Sequence, residues 1–151
     1  MESLRKANVN DIKMLNKMLT DFIRYEAINF DENNRTDLVT TNFFDKRLAD
    51  ANSIVLVYLD DEKIVGCIIG KFIRENIIKK TDEVQIETVY VIERYRGRKI
   101  GTKLIDAFVS EVKGKGAKYI LISNYAANNR AGNLYQKLGF LPHIVKRRKK
   151  I

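Results

Sequence analysis

Val91–Leu104 reads VIERYRGRKIGTKL: the end of an apolar strand, a basic turn with glycines, and the start of a helix. A helix start leaves backbone N–H groups unpaired and carries a partial positive charge, so anions bind there readily. Gly97, Gly101 and Thr102 are small enough for a phosphate to approach the backbone, and Arg96, Arg98 and Lys99 add charge. A glycine-capped helix with a solvated basic face would have the same local sequence, so this stretch alone leaves both readings open. The turn is neither GxxxxGK[ST] nor GxGxxG, which sets aside the common nucleotide loops.

Outward from this turn the elements alternate. Upstream, Val84–Ile92 (VQIETVYVI) is a strand, and Ser53–Leu59 and Ile64–Ile73 form a hairpin across DDEK. Before them, Ser3–Ala7 is a short opening strand. Asn10 and Asp11 offer a cap to a helix that carries Ile12, Leu15, Leu19, Phe22 and Ile23 at helical spacing. Asn29–Asp37 is a polar loop, and Leu38–Ala49 a second, weaker helix. Downstream, Ile100, Leu104, Phe108 and Val112 share a helix face that Gly114 and Gly116 terminate. Tyr119–Ser123 is a short buried strand. A final helix carries Ala131, Leu134, Tyr135 and Leu138, Gly139 ends it, and a last strand follows. Strand–helix–strand in the second half predicts at least one parallel pair, hence an α/β (α+β) fold, with residues 1–151 as a single domain.

The chain has 151 residues, 45% hydrophobic and 31% charged, the balance of a globular domain. No run is long enough for a membrane helix, and MESLRKANVNDIKML is not a secretory signal. One cysteine (Cys67) and one histidine (His143) supply neither a disulfide nor a zinc site, which fits a reducing cytoplasm and no metal. Both are read as structural residues. No Ser/His/Asp arrangement is plausible, so any catalysis rests on carboxylate, tyrosine, lysine, backbone or cofactor groups. The net charge of +9 suits an anionic ligand, either nucleic acid or a phosphate-bearing cofactor. Aromatics do not interleave with the basic residues, which argues against specific nucleic-acid binding, and the terminal KRRKK reads as a solvated tail.

Three stretches together resemble the GNAT acetyltransferase superfamily: IETVYVIERYRGRKIGTKLI, NNRAGNLYQKLGF and the opening LRKANVNDIKML. That resemblance implies a central mixed sheet of about six to seven strands, splayed at strands four and five, flanked by about four helices. It implies acetyl-CoA as co-substrate, an amine acceptor and no metal. It leaves the acceptor open among a small amine, a polyamine and a protein lysine or N-terminus, and it is compatible with a homodimer. One position departs from the family pattern: Lys99 stands where a glycine is usual. As a helix-start residue Lys99 is expected in the αR region, which a lysine tolerates.

Residue by residue, the resemblance implies that Val89, Tyr90 and Val91 offer backbone groups to the pantetheine arm, as an added strand would. It places the pyrophosphate on Arg96, Gly97, Arg98, Lys99, Ile100, Gly101 and Thr102, and further cofactor contacts on Asn128 (also a helix cap), Ala131 and Tyr135. An N–H near Val91 would stabilise the developing oxyanion. Tyr135 would protonate the departing thiolate, the alternative being a packing role with Ala131 and Leu138. An amine of pKa about 10.4 needs help to lose its proton, and Glu87 is the candidate base. Counted along the pleat, Glu87 shares a face with Val89 and Val91; the alternative is a solvent-facing strand carboxylate. Asp31, Glu32 and Asp37 are loop acids able to attract a cationic amine. Two rival functions are a basic nucleic-acid-binding domain and a catalytically silent acyl-CoA-binding member of the superfamily.

Overall fold

The computed structural model describes residues 1–37 and 42–151. The elements in chain order are β1 (Glu2–Lys6), α1 (Ile12–Asn29), α2 (Phe43–Ala49), β2 (Ser53–Asp60), β3 (Lys63–Ile73), β4 (Glu83–Val91), α3 (Ile100–Gly114), β5 (Tyr119–Leu121) and α4 (Asn129–Lys137). Residues 38–41, the start of the second predicted helix, lie outside the described residues. The strands form one sheet in the order β1-β2-β3-β4-β5. The first four are antiparallel, and β5 joins β4 in parallel.

Both faces of the sheet are covered, which is why its central strands read as continuous apolar runs. On one face Ile54, Leu56, Ile68, Val84 and Ile86 meet Ile100, Leu104, Ile105, Phe108 and Val112 of α3. On the other, Val55, Val57, Cys67 and Ile69 meet Leu15, Met18 and Leu19 of α1 and Phe44 of α2. α3 sits close because β3 carries glycines beneath it. A Cβ at Gly70 would stand 2.3 Å from Cζ of Phe108, and one at Gly66 3.1 Å from Ile100 and Leu104 side-chain carbons. The β2–β3 turn places Asp61 and Glu62 at φ 46° and 66°, the sign that a two-residue hairpin turn following the strand twist requires.

Two predicted features differ. The described residues hold five strands rather than six to seven, because the segment after Gly139 forms none. β5 pairs through only three residues and offers a short edge, Pro142 has no N–H to give, and Lys146–Lys150 has no apolar side chain to bury. Leu141, Ile144 and Val145 stand 80%, 71% and 72% exposed. The first helix is also capped earlier than Asn10 and Asp11. The Asn8 side chain accepts from the Asn10 N–H, the Asn8 N–H donates to Asp11 at 2.8 Å, and a single 3-10 turn (Val9–Asp11) leads into α1.

Candidate active site

The sheet opens at a defined point. Pairing between β4 and β5 runs through Glu83–Tyr119, Val84–Ile120 and Gln85–Leu121 and then ends. At that end the Gln85 side-chain amide donates to the carbonyl oxygens of Ile86 (2.8 Å) and Leu121 (3.4 Å), satisfying groups that the divergence would otherwise strand. Beyond it the strands splay, as the resemblance implied.

β4 also carries a bulge there. Ile69 opposes Thr88 and Gly70 opposes Ile86, so Glu87 is the extra residue. The bulge shifts the alternation by one: Val84 and Ile86 before it, and Val89 and Val91 after it, all pack on the α3 side. The simple pleat count for Glu87 therefore fails. Glu87 turns to the opposite face, where both its carboxylate oxygens accept hydrogen bonds from Arg47 of α2, at 2.8 and 2.6 Å. Ile92 donates its N–H to Val65 of β3. By alternation the backbone groups of Val89 and Val91 point away from β3, into the opening.

That opening is a cleft of about 390 Å³. β4 forms its floor, and α1, the start of α3, the chain after β5 and α4 form its walls. Glu87, Val89, Tyr90, Val91, Arg96, Gly97, Lys99, Ile100, Gly101, Thr102, Asn128, Ala131 and Tyr135 all line it. Arg98 does not. Its guanidinium lies 3.6 Å from Asp60 and over the Tyr95 ring, because the turn directs it outward.

At the start of α3 the first intrahelical bond runs from the Lys103 N–H to the Lys99 carbonyl. The amides of Ile100, Gly101 and Thr102 thus lack helical partners, and no side chain caps them. Nothing lies within 4 Å of a Cβ built on Gly97, so the turn is open toward the cleft. Lys99 departs from expectation: its φ is 61° and ψ 17°, in the left-handed region. Two positive φ values close together, at Gly97 and Lys99, reverse the chain from β4 into α3. A glycine would enter that region without the penalty of about 1–2 kcal/mol that a Cβ brings.

Arg96 is spent locally. Its Nε donates to the Val91 carbonyl at 3.0 Å and its guanidinium lies over the Tyr25 and Tyr90 rings, so it braces the turn. The Val91 carbonyl is thereby taken, while its N–H faces the cleft. Asn128 caps α4, its Oδ1 accepting from the Ala131 N–H at 3.2 Å. Tyr135 packs edge-on to Phe140, and burial, with the nearby Glu26 charge, pushes its hydroxyl up to about 12. Cys67 is buried in the sheet core, and burial pushes its thiol up to about 12, which makes it inert.

Sequence reasoning missed Glu26. It continues the α1 stripe, four residues after Phe22 and three after Ile23, so its signal was a carboxylate in an apolar helix face. Glu26 lines the cleft beside Phe22 and Tyr25, and burial, with a smaller effect from Asp31, pushes it up to about 6. Ser123 and Asn124 also line the cleft unforeseen, because the irregular chain after β5 carries no periodicity, as does Arg130 from the first turn of α4. The basic tail is not wholly solvated: Arg148 pairs with Asp31 at 2.5 Å and Lys150 with Glu32 at 3.0 Å.

A splayed parallel strand pair beside a bare helix start makes an α/β cleft for an extended ligand with an anionic end. The chain belongs to the acetyltransferase (GNAT) family, whose model matches residues 15–140. It is 31% identical over 85 residues to N-alpha-acetyltransferase 30 of Schizosaccharomyces pombe, a match spanning 56% of this chain and 55% of that protein. The matched stretch is thus about half of that relative's length. In fold it superposes on a mutant BH1408 protein of Bacillus halodurans with a TM-score of 0.89, at 23% identity over 99% of both chains. It also superposes on AAC(6')-Iy in complex with the bisubstrate analogue CoA-S-monomethyl-acetylneamine, with a TM-score of 0.75 at 15% identity over 100% of this chain and 99% of that one.

Proposed function

We propose that this protein transfers the acetyl group of acetyl-CoA to a primary amine, by direct attack within a ternary complex. The observation that carries this reading is the continuity of the cleft. The outward-facing backbone of Val89 and the Val91 N–H line the same cleft as the uncapped amides of Ile100, Gly101 and Thr102. An extended amide-bearing arm that ends in a pyrophosphate matches that order of groups. Names among its relatives agree in kind: one is an N-alpha-acetyltransferase, and one neighbour in fold holds a CoA-based bisubstrate analogue.

The residues fit such a ligand. Gly97 has no neighbour within 4 Å of a built Cβ and Gly101 meets only Leu134 at 3.8 Å, so side-chain bulk does not obstruct the phosphate end. Bound there, acetyl-CoA supplies an acetyl group activated as a thioester. The Val91 N–H is the candidate donor to the acetyl oxygen, where a fixed donor would stabilise the negative charge that builds up. Tyr135 keeps its proton throughout the neutral range and offers it to the sulfur as the C–S bond breaks. A carboxylate of the cleft receives the proton that the amine nitrogen gives up as its bond to carbon forms. Lys99 brings a cation beside the phosphate end in place of the family's usual glycine.

The direct experiment is an acetyltransferase assay over a panel of amines (polyamines, aminoglycosides, lysine analogues and N-terminal peptides), with released coenzyme A detected by a thiol reagent. Thiol release that requires one class of amine supports the reading. Absence of amine-dependent release across the panel, with acetyl-CoA bound, would leave a silent acyl-CoA-binding domain instead.

A further inference from the structure

Resting on that reading, we propose that Glu26 of α1 is the group that takes the proton from the acceptor amine, and that Glu87 acts as a fixed charge. The cleft holds two carboxylates, and their surroundings separate them. Glu87 has both oxygens occupied by the Arg47 guanidinium, at 2.8 and 2.6 Å. Both oxygens of Glu87 are thus committed to the Arg47 guanidinium, so Glu87 is suited to position that group rather than to engage an amine.

Glu26 is the opposite case. It is partly buried in the cleft wall, and among the described residues no hydrogen bond or ion pair engages its carboxylate. The groups around it are known from every wall. On α1 itself Tyr25 lies beside Arg96, which is committed to the Val91 carbonyl and two tyrosine rings. From the loop after α1, Asp31 adds a like charge that Arg148 partly offsets. From the chain after β5, Tyr125 is a neutral hydroxyl bonded to Asn34 and Asp31. From α4 come Tyr135, close enough to feel the Glu26 charge, and Arg130; from the α3 start comes Lys99. Among the described residues none of these cations forms an ion pair with Glu26. Desolvation without a partner is what lifts a carboxylate toward neutrality, and Glu26 stands at about 6. A base with that affinity is ionised at neutral pH yet holds a proton better than an ordinary carboxylate.

The step balances. The amine nitrogen bonds to the acetyl carbon as one of its N–H protons passes to Glu26. The C–S bond breaks, its electron pair leaves on sulfur, and Tyr135 protonates the thiolate. The proton on Glu26 is then released and Tyr135 takes one up, so the net products are an amide and a thiol. Glu26 from α1 and Tyr135 from α4 line the same cleft, close enough for the Glu26 charge to act on the Tyr135 hydroxyl, so both ends of this proton path border one space.

The test is the pH dependence of turnover at saturating acetyl-CoA for the wild type, Glu26→Gln, Glu26→Asp and Glu87→Gln, with the thermal shift induced by acetyl-CoA recorded for each. We expect Glu26→Gln to lower turnover by about 10²–10⁴-fold, the usual worth of a general base. It should also abolish the inflection near pH 6 while leaving the acetyl-CoA thermal shift intact, and Glu26→Asp should restore part of both. Glu87→Gln should keep the inflection and act chiefly on KM for the amine. Wild-type-like turnover in Glu26→Gln, or an inflection that disappears with Glu87→Gln instead, overturns the assignment while the acetyltransferase reading stands. A wild type that neither shows the thermal shift nor acetylates any amine sinks that reading, and the assignment with it.

Discussion

A Cβ on Gly70 of β3 would lie 2.3 Å from the Cζ of Phe108 on α3, and Phe108 is wholly buried. The contact sets how closely α3 lies on the sheet, and the first turn of that helix borders the cleft. Gly70→Ala should force the ring or the helix to shift and cost about 1–3 kcal/mol, the range for overpacking a filled core. Urea denaturation reads the loss directly. A variant as stable as the wild type would mean that α3 is not seated as described.

Lys99 enters α3 from the left-handed region at φ 61°. Lys99→Gly should relieve that strain, partly offset by the greater freedom of glycine in the unfolded chain, for a net gain of up to about 1 kcal/mol. The urea midpoint should rise with no change in slope. A clear fall would place Lys99 in an ordinary helical conformation.

Acetyl-CoA at 100 times its Kd should stabilise the fold by about 2.7 kcal/mol through mass action, seen as a rise in Tm. Dephospho-coenzyme A should still bind if, as proposed, the α3 amides take the pyrophosphate. A Cβ at Gly101 has only Leu134, at 3.8 Å, as neighbour, so Gly101→Ala should fold and bind. Gly101→Asp has the same room at its Cβ but would set a carboxylate against phosphates bound there, and should abolish the shift. Equal shifts in the alanine and aspartate variants would move the anion site elsewhere.

Tyr135→Phe removes one hydroxyl from a side chain already packed against Phe140, so stability should hold while thiolate departure slows. Because burial holds the Tyr135 hydroxyl at about 12, it stays protonated throughout the assay range, and the defect should be constant from pH 6 to pH 9. A defect that vanishes at high pH would point to a different proton donor.

Glu26 also links function to stability. Its folded-state pKa, about 6, lies above its ordinary value of 4.5, so the folded protein holds that proton more tightly than the unfolded chain. Its contribution is therefore fully present below about pH 4.5 and lost as pH rises through 6. Relative to Glu26→Gln, the wild type should lose stability across that window and stay level above it. The effect should be below about 1 kcal/mol, since the carboxylate is only half-buried and solvent screens it. An unchanged difference in Tm between pH 4 and pH 7.5 would count against the burial of Glu26.

The sequence by itself determined most of the elements and the parallel pair, though not the last strand, which does not form among the described residues. Apolar β-branched runs can only be central strands, the face Ile100–Leu104–Phe108–Val112 can only lie on a sheet, and strand–helix–strand implies the parallel pair. Three stretches together pointed to the family, and nearly all the residues they picked out line one cleft. Tertiary structure decided everything that depends on where a side chain is sent. Alternation is periodic only while the ladder is regular, and the bulge at Glu87 reverses it, handing that carboxylate to Arg47, forty positions away in the chain. A left-handed lysine leaves no trace in composition, and neither does the fold-back of Arg96 onto the Val91 carbonyl. Whether a carboxylate is an ion-pair partner or a base turns on its desolvation and its neighbours, and for Glu26 these come from α1, α4 and two loops that meet only when the chain is folded.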